Sequence, residues 1–464
     1  MGPRKRVGSA AGQLTEVAPE SSRRKTTLRG GAVRLEDYWL PPDLMERVAR
    51  FVPDDETFFR LLEAFNRTGI LSDALQAIWT LSKKTMERDE LWPNLMMPKM
   101  LPPAIIRGIP IAARYYDEVH FEHLSDVDAI VNAIPLTTSV VWFNAIQSMA
   151  IPRPWTSFCD RLSTLHITHL SEEMCDAGRM DLVLDVLPRL PHLRTLSLIF
   201  CSVHAISPFT RYIRDSKLTR LTFEGMPIED EESDDESDDD TWVINDDRER
   251  SRITEADVDC LTHWLTHNPV VLFEWAAFRL PVTQPCVSQF LDALFGCDTL
   301  TTFGQESLDI PNLASYEFRH PNLLSKMSIR WCDLSRDRFG ALCRGLDKAP
   351  RLTELDLSHL DIDDGGILNV FERLPNLNIR TLEVASNEID DDACTVLAEL
   401  LPTTCIRRLD LSHNRISNKG ALALAKAIPK SPRLIELNLK ENRILKKGLD
   451  ALVKACGSRV NLSS

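Results

Sequence analysis

Apolar residues recur along the last third of the chain in the order L-x-x-L-x-L-x-x-N-x-I, where x is mostly polar. Four successive units share this order. Their second apolar positions are Leu355, Leu382, Leu409 and Leu437, which are 27, 27 and 28 residues apart. The alternating L-x-L segment predicts a strand with one buried face. A fixed period of about 20–50 residues is typical of repeat architectures, in which each unit buries its apolar face against its neighbours.

The second half of each unit has a helical pattern. After Ile416, the residues Gly420, Leu424 and Ile428 follow at spacings of four, and Pro429 comes next. Residues four apart share one face of a helix, and a proline ends the helix before the following strand. Each unit is therefore predicted to contain one strand and one helix.

Residues 352–456 resemble the ribonuclease-inhibitor type of leucine-rich repeat in both consensus and period. This resemblance implies an α/β fold, a leucine-rich-repeat solenoid shaped like a horseshoe, with parallel strands inside and helices outside. Asn387, Asn414 and Asn442 fill the Asn position, where the carboxamide is expected to bond backbone groups at the bend after the strand. Leu360 fills this position in one unit, which is expected to be looser there.

The same register continues toward the N-terminus with more substitutions, and about twelve units are predicted within residues 101–458. The long gap between Leu221 and Phe273 contains one insertion, residues 229–250, which is expected to leave the solenoid at a strand-to-helix loop. The other earlier second apolar positions are Met327, Phe303, Leu196 and, less regularly, Leu165, with weaker candidates centred on 140–142 and 119–121.

Residues 35–100 have a different pattern and are predicted to form a small helical module. The sequence LPPDL at 40–44 opens a first helix, a second amphipathic segment begins near Phe58, and LWPNL at 91–95 closes the region. This order of elements resembles an F-box. The 52 residues from Leu40 to Trp92 exceed the compact family module, and the middle consensus of the family is not clean here.

The resemblance to an F-box implies that the module binds the adaptor subunit of an SCF ubiquitin ligase. The residues that match the motif are Leu40, Pro41, Leu44, Val48 and Phe51. The alternative is an N-terminal cap, since a solenoid must cover the first apolar face of its repeats. The sequence leaves both interpretations open.

The charge of the chain is concentrated in two segments. The chain has 68 acidic and 54 basic residues, a formal net charge of −14. Residues 229–240 supply ten carboxylates, and the remaining chain carries −4. Residues 1–34 have a net charge of +6 and no apolar period, which predicts a disordered basic tail. The acidic overall balance argues against a nucleic-acid partner and against an anionic membrane surface.

Ser233 and Ser237 lie inside the acidic insertion, and each is followed by three carboxylates. They resemble acid-directed, casein-kinase-type phosphorylation sites. A phosphate would add a charge of about −1.5 to −2 at each serine. The alternative is a solubilising loop without regulation.

The sequence contains no motif for catalysis or for a cofactor. It lacks G-x-x-x-x-G-K-[ST], H-E-x-x-H and G-x-S-x-G, so an enzyme is not expected. Eleven scattered cysteines without C-x-x-C pairs predict reduced thiols and no zinc site. With no apolar run of about 18 residues and no signal peptide, a cytoplasmic protein is predicted. The basic runs at 4–6 and 23–25 leave nuclear import as an alternative.

The x positions of the strand segments are predicted to form the binding surface, because they face the inner side of the horseshoe. Neighbouring parallel strands lie about 4.8 Å apart, so these side chains form one array. Trp331 is the predicted anchor, because an exposed aromatic ring beside an arginine resembles an interface hot spot. The array consists of Arg330, Trp331, Glu354, Asp356, His359, Arg380, Glu383, Arg407, Asp410, His413, Glu436 and Lys440.

Two classes of function fit these features. The first is a non-enzymatic adaptor that recruits a substrate protein through the repeats to an SCF-type ubiquitin ligase. The second is a regulator of a small GTPase, because the repeat period and helix sequence also resemble those of the Ran GTPase-activating protein. In that family the acidic segment follows the repeats, whereas here it interrupts them. A plain leucine-rich-repeat scaffold is the remaining alternative.

Overall fold

A computed structural model describes residues 41–67, 69–97, 103–122, 127–144, 146, 154–226, 253–276, 284–306, 316, 318, 321–332 and 336–464. Leu40, the basic segment 1–34 and the insertion 229–250 with Ser233 and Ser237 lie outside the described residues.

The described residues contain one parallel sheet of fourteen strands, whose spatial order is their order in the chain. Twelve of the strands correspond to the predicted units, while β1 and β14 add one strand at each end. The strands are β1 (Leu95–Met97), β2 (Glu118–Phe121), β3 (Ser139–Phe143), β4 (Ile167–Glu173), β5 (Thr195–Ser202), β6 (Arg220–Met226), β7 (Leu272–Ala276), β8 (Thr302–Glu306), β9 (Lys326–Arg330), β10 (Glu354–Asp356), β11 (Thr381–Glu383), β12 (Arg408–Asp410), β13 (Glu436–Asn438) and β14 (Asn461–Ser463).

A helix connects most successive strands, as the pattern predicts. The prolines expected to end the repeat helices occupy short 3₁₀ turns directly after them, as at Leu401–Thr403 and Ile428–Lys430. The helices are α1 (Pro42–Ala49), α2 (Asp55–Asn66), α3 (Asp73–Lys84), α4 (Pro103–Ala112), α5 (Val127–Ala133), α6 (Trp155–Leu162), α7 (Ala177–Val186), α8 (Ser207–Asp215), α9 (Glu255–His267), α10 (Gln284–Gly296), α11 (Arg336–Leu346), α12 (Asp364–Phe371), α13 (Asp391–Leu400), α14 (Asn418–Ala427) and α15 (Lys446–Cys456). None of them is both long and apolar enough to cross a membrane.

The predicted fold class, a leucine-rich-repeat solenoid, is confirmed. Leu355, Leu382, Leu409 and Leu437 pair with one another in register, strand after strand. They belong to one continuous apolar core that runs from Ala49 to Val460. Packed helices need about 8–10 Å between axes, whereas strands need only about 4.8 Å, so the strand side of the solenoid is the inner, concave side.

The register predicted for the third unit, which contains β4, is wrong. Leu170, rather than Leu165, pairs with Leu196. The pairing between β3 and β4 shifts at Thr168, where β4 contains an extra residue. Such a bulge moves every later side chain of the strand along the pattern, and the sequence shows no signal for it.

The turns after β11, β12 and β13 each depend on an asparagine. The Asn414 amide nitrogen donates to the backbone oxygens of Leu411 and Ser412 in its own unit, at 3.1 and 3.0 Å. It also donates to the oxygen of Val384 in the preceding unit, at 3.0 Å. The side-chain oxygen accepts from the N–H of Ile389, again in the preceding unit, at 3.1 Å. Asn387 and Asn442 repeat this arrangement, so the predicted role of the Asn position is confirmed.

The unit with leucine in the Asn position is held by its neighbour. The Asn387 side-chain oxygen accepts from the N–H groups of Leu360 and Ile362, both at 3.1 Å. The backbone bends twice here, with His359 and Asp361 both in the left-handed region at φ of 58° and 49°. Whether this unit is looser than the others stays a prediction.

A second link between units lies at the start of the repeat helices. The Asp391 carboxylate accepts from the N–H groups of Ser417 and Gly420 at the start of α14, at 2.9 and 2.7 Å. A β-carbon at Gly420 would lie 2.7 Å from that carboxylate oxygen. Glycine therefore occupies this position because the neighbouring unit supplies the helix cap.

The N-terminal helices pack directly on the first repeats. Trp92 stacks on Phe58 with ring centres 3.9 Å apart, and its indole N–H donates to the Val52 oxygen at 3.0 Å. The Tyr115 hydroxyl, just before β2, donates to the Glu46 oxygen in α1 at 3.3 Å. One side of the module thus covers the end of the solenoid, as the cap interpretation requires.

Asn414→Ala is expected to lower the free energy of unfolding by about 3 kcal/mol, because backbone groups of two units lose their hydrogen-bond partner in a buried site. Urea denaturation followed by circular dichroism measures this loss. Asn376→Ala, in an exposed turn after α12, is the matched control and should change the free energy by less than about 0.5 kcal/mol. Equal losses in both variants would contradict the structural role of the Asn position.

Candidate functional site

The face of the sheet opposite the helices is built from residues that core packing leaves free. In β10, Leu355 is buried in the core, while Glu354 and Asp356 on either side of it face away. The parallel register aligns equivalent side chains of successive strands into rows. We define the central row as Thr222, Glu274, Gly304, Ser328, Asp356, Glu383, Asp410, Asn438 and Ser463, which pair in succession.

The middle of the central row is acidic. Four members of the row are carboxylates, namely Glu274, Asp356, Glu383 and Asp410, and no member is basic. Three of them, Glu274, Asp356 and Glu383, line a shallow cavity of about 300 Å³. Two further carboxylates, Glu224 and Glu306, line this cavity too. Burial and the nearby Glu306 carboxylate raise the pKa of Glu224. The cavity therefore concentrates negative charge on the concave side.

Arg330 is already shared between two of these carboxylates. Its guanidinium lies 2.9 Å from a Glu306 oxygen and 3.6 Å from an Asp356 oxygen. The Ser328 hydroxyl also donates to Asp356, at 3.1 Å. These contacts fix Asp356 in place, but one arginine cannot neutralise the whole row.

Glu383 and Asp410 have no ion pair with a described basic residue. Asp410 accepts from the backbone N–H of Ser412 at 2.8 Å and from the Asn438 amide at 2.9 Å, which leaves its charge in place. Partial burial and repulsion from Asp356 and Asp410 raise the pKa of the Glu383 carboxyl. Three carboxylates on adjacent strands thus repel one another, and the nearby Lys326 and Arg330 charges offset this repulsion only in part.

The basic residues of the predicted array lie at both ends of the strands. Arg380 and Arg407 directly precede β11 and β12 and are exposed, whereas Arg330 ends β9 and Lys440 follows β13. Carboxylates also lie at the N-terminal ends, where Glu436 of β13 is 3.5 Å from Arg408 of β12. Both signs of charge are therefore mixed across the face, and only the central row has charges of a single sign.

An aromatic pair lies at the C-terminal ends of the strands, directly after Arg330, which lines the acidic cavity. Trp331 follows β9 with φ of 55° and His359 follows β10 with φ of 58°, so both turn out of the sheet in the left-handed region. Their rings stack with centres 3.8 Å apart. Burial and the Arg330 charge lower the pKa of His359, which keeps the imidazole neutral at pH 7. Trp331 remains 53% exposed, as expected for an anchor residue.

The left-handed backbone recurs at this turn along the solenoid. The non-glycine residues at the equivalent turns are Asn144, Met174, Phe200, Trp331, His359, Ser386, His413 and Glu441. Several of them, including His359 and His413, donate their backbone N–H to the following unit. The sequence predicted His413 as a site residue, and it lies in this column of turns.

The structure brings most of the predicted array together and adds members that the sequence reasoning missed. Arg330, Glu354, Asp356, Glu383, Asp410 and Glu436 lie on strands, and Lys440 follows β13. The missed residues are Glu224, Glu274, Glu306 and Lys326, all of which line the cavity. The signal was present, because Glu274 is the x residue between Phe273 and Trp275 in a less regular unit.

The described residues offer charges and an aromatic ring rather than reactive groups. No group of three His, Cys, Asp or Glu side chains among them is placed to hold a metal ion. The eleven cysteines are free thiols, and ten are buried. Burial raises the pKa of the Cys343 thiol to about 12, which disfavours the nucleophilic thiolate. The arrangement is that of a binding surface.

Glu383→Gln is expected to raise the melting temperature at pH 7 by about 1–2 °C, because it removes repulsion within the central row. A raised carboxyl pKa destabilises the fold above that pKa, and the penalty disappears as the carboxyl is protonated. The difference between variant and parent should therefore vanish near pH 4. Differential scanning calorimetry from pH 4 to pH 8 measures it, with Glu399→Gln on an exposed helix position as the charge-matched control. A gain that persists at pH 4 would contradict this explanation.

Comparison with known proteins agrees with the repeat architecture. The family model described as Leucine Rich repeat matches residues 376–398 and 404–425. No curated protein sequence matches the chain. Solved structures that are similar include an internalin from Listeria monocytogenes, at 14% identity over 85% of this chain and 94% of that chain with a TM-score of 0.39.

Two other similar structures are a leucine-rich-repeat protein from Leptospira interrogans and the actin-binding site 2 of leiomodin-1. The first is 12% identical over 82% of this chain and 98% of that chain, with a TM-score of 0.36. The second is 24% identical over 27% of this chain and 77% of that chain, with a TM-score of 0.25. Scores this low establish no shared superhelical shape, so the fold assignment depends on the sheet and on the matched repeats. Together they show the fold of a leucine-rich-repeat solenoid.

Proposed function

We propose that this chain is a non-enzymatic adaptor with two protein-binding surfaces. The concave face of the repeat sheet binds a substrate protein, and helix α1 docks on the adaptor subunit of an SCF-type ubiquitin ligase. A leucine-rich-repeat scaffold itself suggests a protein-binding role. The SCF assignment is the finer part of the proposal, and the observation that carries it lies in α1.

Helix α1 has apolar residues on two neighbouring faces, about 100° apart around its axis. Met45 and Ala49 are buried at 1% and 0% exposure and attach the helix to the module. Leu44, Val48 and Phe51 are exposed by 40%, 42% and 86%. Their spacing of four and three residues places them on one stripe of the helix and its C-terminal extension. An apolar stripe that faces water on a folded module is typical of a docking site for a partner protein.

The exposed stripe coincides with three of the five residues that the F-box resemblance assigned to adaptor binding. Leu40 lies outside the described residues, and Pro41 is exposed directly before the helix. The cap and F-box interpretations are compatible, because the module covers the first repeats with one side and leaves the Leu44 stripe free on another.

The module cannot be removed to test this proposal, because deletion would uncover the apolar end of the solenoid. Surface substitutions avoid the problem. Leu44→Glu combined with Val48→Glu places charges on the stripe without touching Met45 or Ala49, and the fold should remain intact.

The parent chain is expected to bind the purified SCF adaptor subunit, and the Leu44→Glu, Val48→Glu variant should bind at least tenfold more weakly. Two half-buried side chains at an interface core contribute more than the 1.4 kcal/mol that corresponds to tenfold. Isothermal titration calorimetry measures both affinities. Val453→Glu, which charges an exposed valine on α15 at the other end of the solenoid, is the control and should bind like the parent. The absence of binding by the parent chain would refute the SCF assignment.

The acidic insertion provides a separate proposal for regulation. Ser233 and Ser237 carry the pattern of acid-directed phosphorylation sites, and both lie outside the described residues. The insertion joins the solenoid between the end of β6 and the start of α9, while β6 and β7 pair directly with each other. Phosphate added there would increase the negative charge of the insertion by about 1.5 to 2 at each serine.

A further inference from the structure

The concave face of the sheet has a charge pattern that specifies the kind of partner it fits. This inference rests on the proposed function, because it assumes that the open face binds a protein. Asp356, Glu383 and Asp410 lie side by side on β10, β11 and β12 in the central row. Adjacent strands are about 4.8 Å apart, so the three carboxylates cover roughly 10 Å, the length of three residues of extended chain.

The concave face has an excess of negative charge along the central row. Arg330 is committed to Glu306 and Asp356 through contacts of 2.9 and 3.6 Å. Glu383 lies between two carboxylates, and burial with this repulsion raises its pKa. A cation placed over the central row would relieve the repulsion, whereas an acidic or neutral partner would leave it or increase it.

The aromatic border adds a second, independent preference. Trp331 directly follows Arg330, which lines the acidic cavity; its ring stacks on His359 and is 53% exposed. Guanidinium groups stack on tryptophan faces, and nearby carboxylates strengthen that contact. Arginine can also bind a carboxylate with two parallel hydrogen bonds, which lysine cannot.

We propose that the concave face binds an arginine-rich, extended segment of a partner protein, with its guanidinium groups over Asp356, Glu383 and Asp410 and one of them against Trp331. The segment crosses the strands along the central row. Recognition of the substrate then depends on basic side chains in an unfolded or extended region rather than on a folded domain.

The test uses the full chain and a fluorescein-labelled peptide with arginine at alternating positions. A peptide of about twelve residues spans roughly 40 Å when extended, enough to cover the row. The matched peptide has glutamine in place of each arginine. Fluorescence anisotropy at a salt concentration of about 0.15 M, where distant surface charges are screened, measures both affinities. The arginine peptide is expected to bind at least tenfold tighter than the glutamine peptide.

A charge-matched pair of variants separates the face from the overall acidity of the chain. Asp356→Asn, Glu383→Gln and Asp410→Asn together should weaken the arginine peptide at least tenfold. Replacing Asp234, Asp235 and Asp238 of the insertion by Asn removes the same formal charge and should change the affinity less than about twofold. Equal weakening in both variants would overturn the proposal, since binding would then follow net charge alone.

Two further variants protect the test from misfolding and from a competing occupant. Trp331→Ala should weaken binding about tenfold while the salt dependence stays the same, because it removes a contact and no charge. If the triple variant melts early, Glu383→Gln alone should still weaken binding about threefold.

Replacing the arginines and lysines at 4–6 and 23–25 by Gln should leave the affinity unchanged. Binding that appears only in this last variant would show that the basic N-terminal segment of the chain occupies the face, and would overturn the proposal.

The outcome is independent of the proposed SCF assignment, because the peptide test does not involve α1. Binding of the SCF adaptor with no preference for the arginine peptide would overturn only the partner chemistry. Preference for the arginine peptide without SCF binding would overturn only the docking of α1.

Discussion

Each repeat of this solenoid depends on its neighbour to satisfy the backbone where the strand ends. A turn buried under the next unit cannot bond water, and a short strand of three residues cannot provide partners within itself. The asparagines at 387, 414 and 442 satisfy these backbone groups, because each one donates to and accepts from the preceding unit at the same time. On the helix side, Asp391 does the same for the start of α14. Stability is therefore a property of adjacent pairs, and no repeat is expected to be stable alone.

The contacts that hold neighbouring units together lie in the core and in the turns, and the open face of the sheet is not needed for them. The leucines fill the core and the asparagines bind the turns, so the residues between them are free to vary. The open face carries carboxylates in a row that repel one another. This repulsion lowers stability, and these side chains take no part in the packing of the core. The proposed role in recognition gives a reason for groups that repel one another to lie on this face.

The regular units could be predicted closely, because the leucines at 355, 382, 409 and 437 report both the period and the buried face. The unit around β4 could not, because the bulge at Thr168 shifts the register without leaving a trace in residue type. At the site, individual x residues were predictable, but the acidic central row was not. It emerges only when Glu274, from an irregular unit, is aligned with Asp356 through the sheet register. The residues of the exposed α1 stripe were named in advance through the resemblance to an F-box.

The left-handed turns after the strands link recognition to a permanent energetic cost. A non-glycine residue in this region is strained by about 1 kcal/mol or more, and the solenoid places Phe200, Trp331, His359 and His413 there. Glycine would relieve the strain and lose the rings that border the open face. At these turn positions, a substitution that raises thermal stability therefore also removes an aromatic side chain from the surface. A descendant of this chain under pressure only to be more stable would be expected to lose its aromatic border first, while its core remained unchanged.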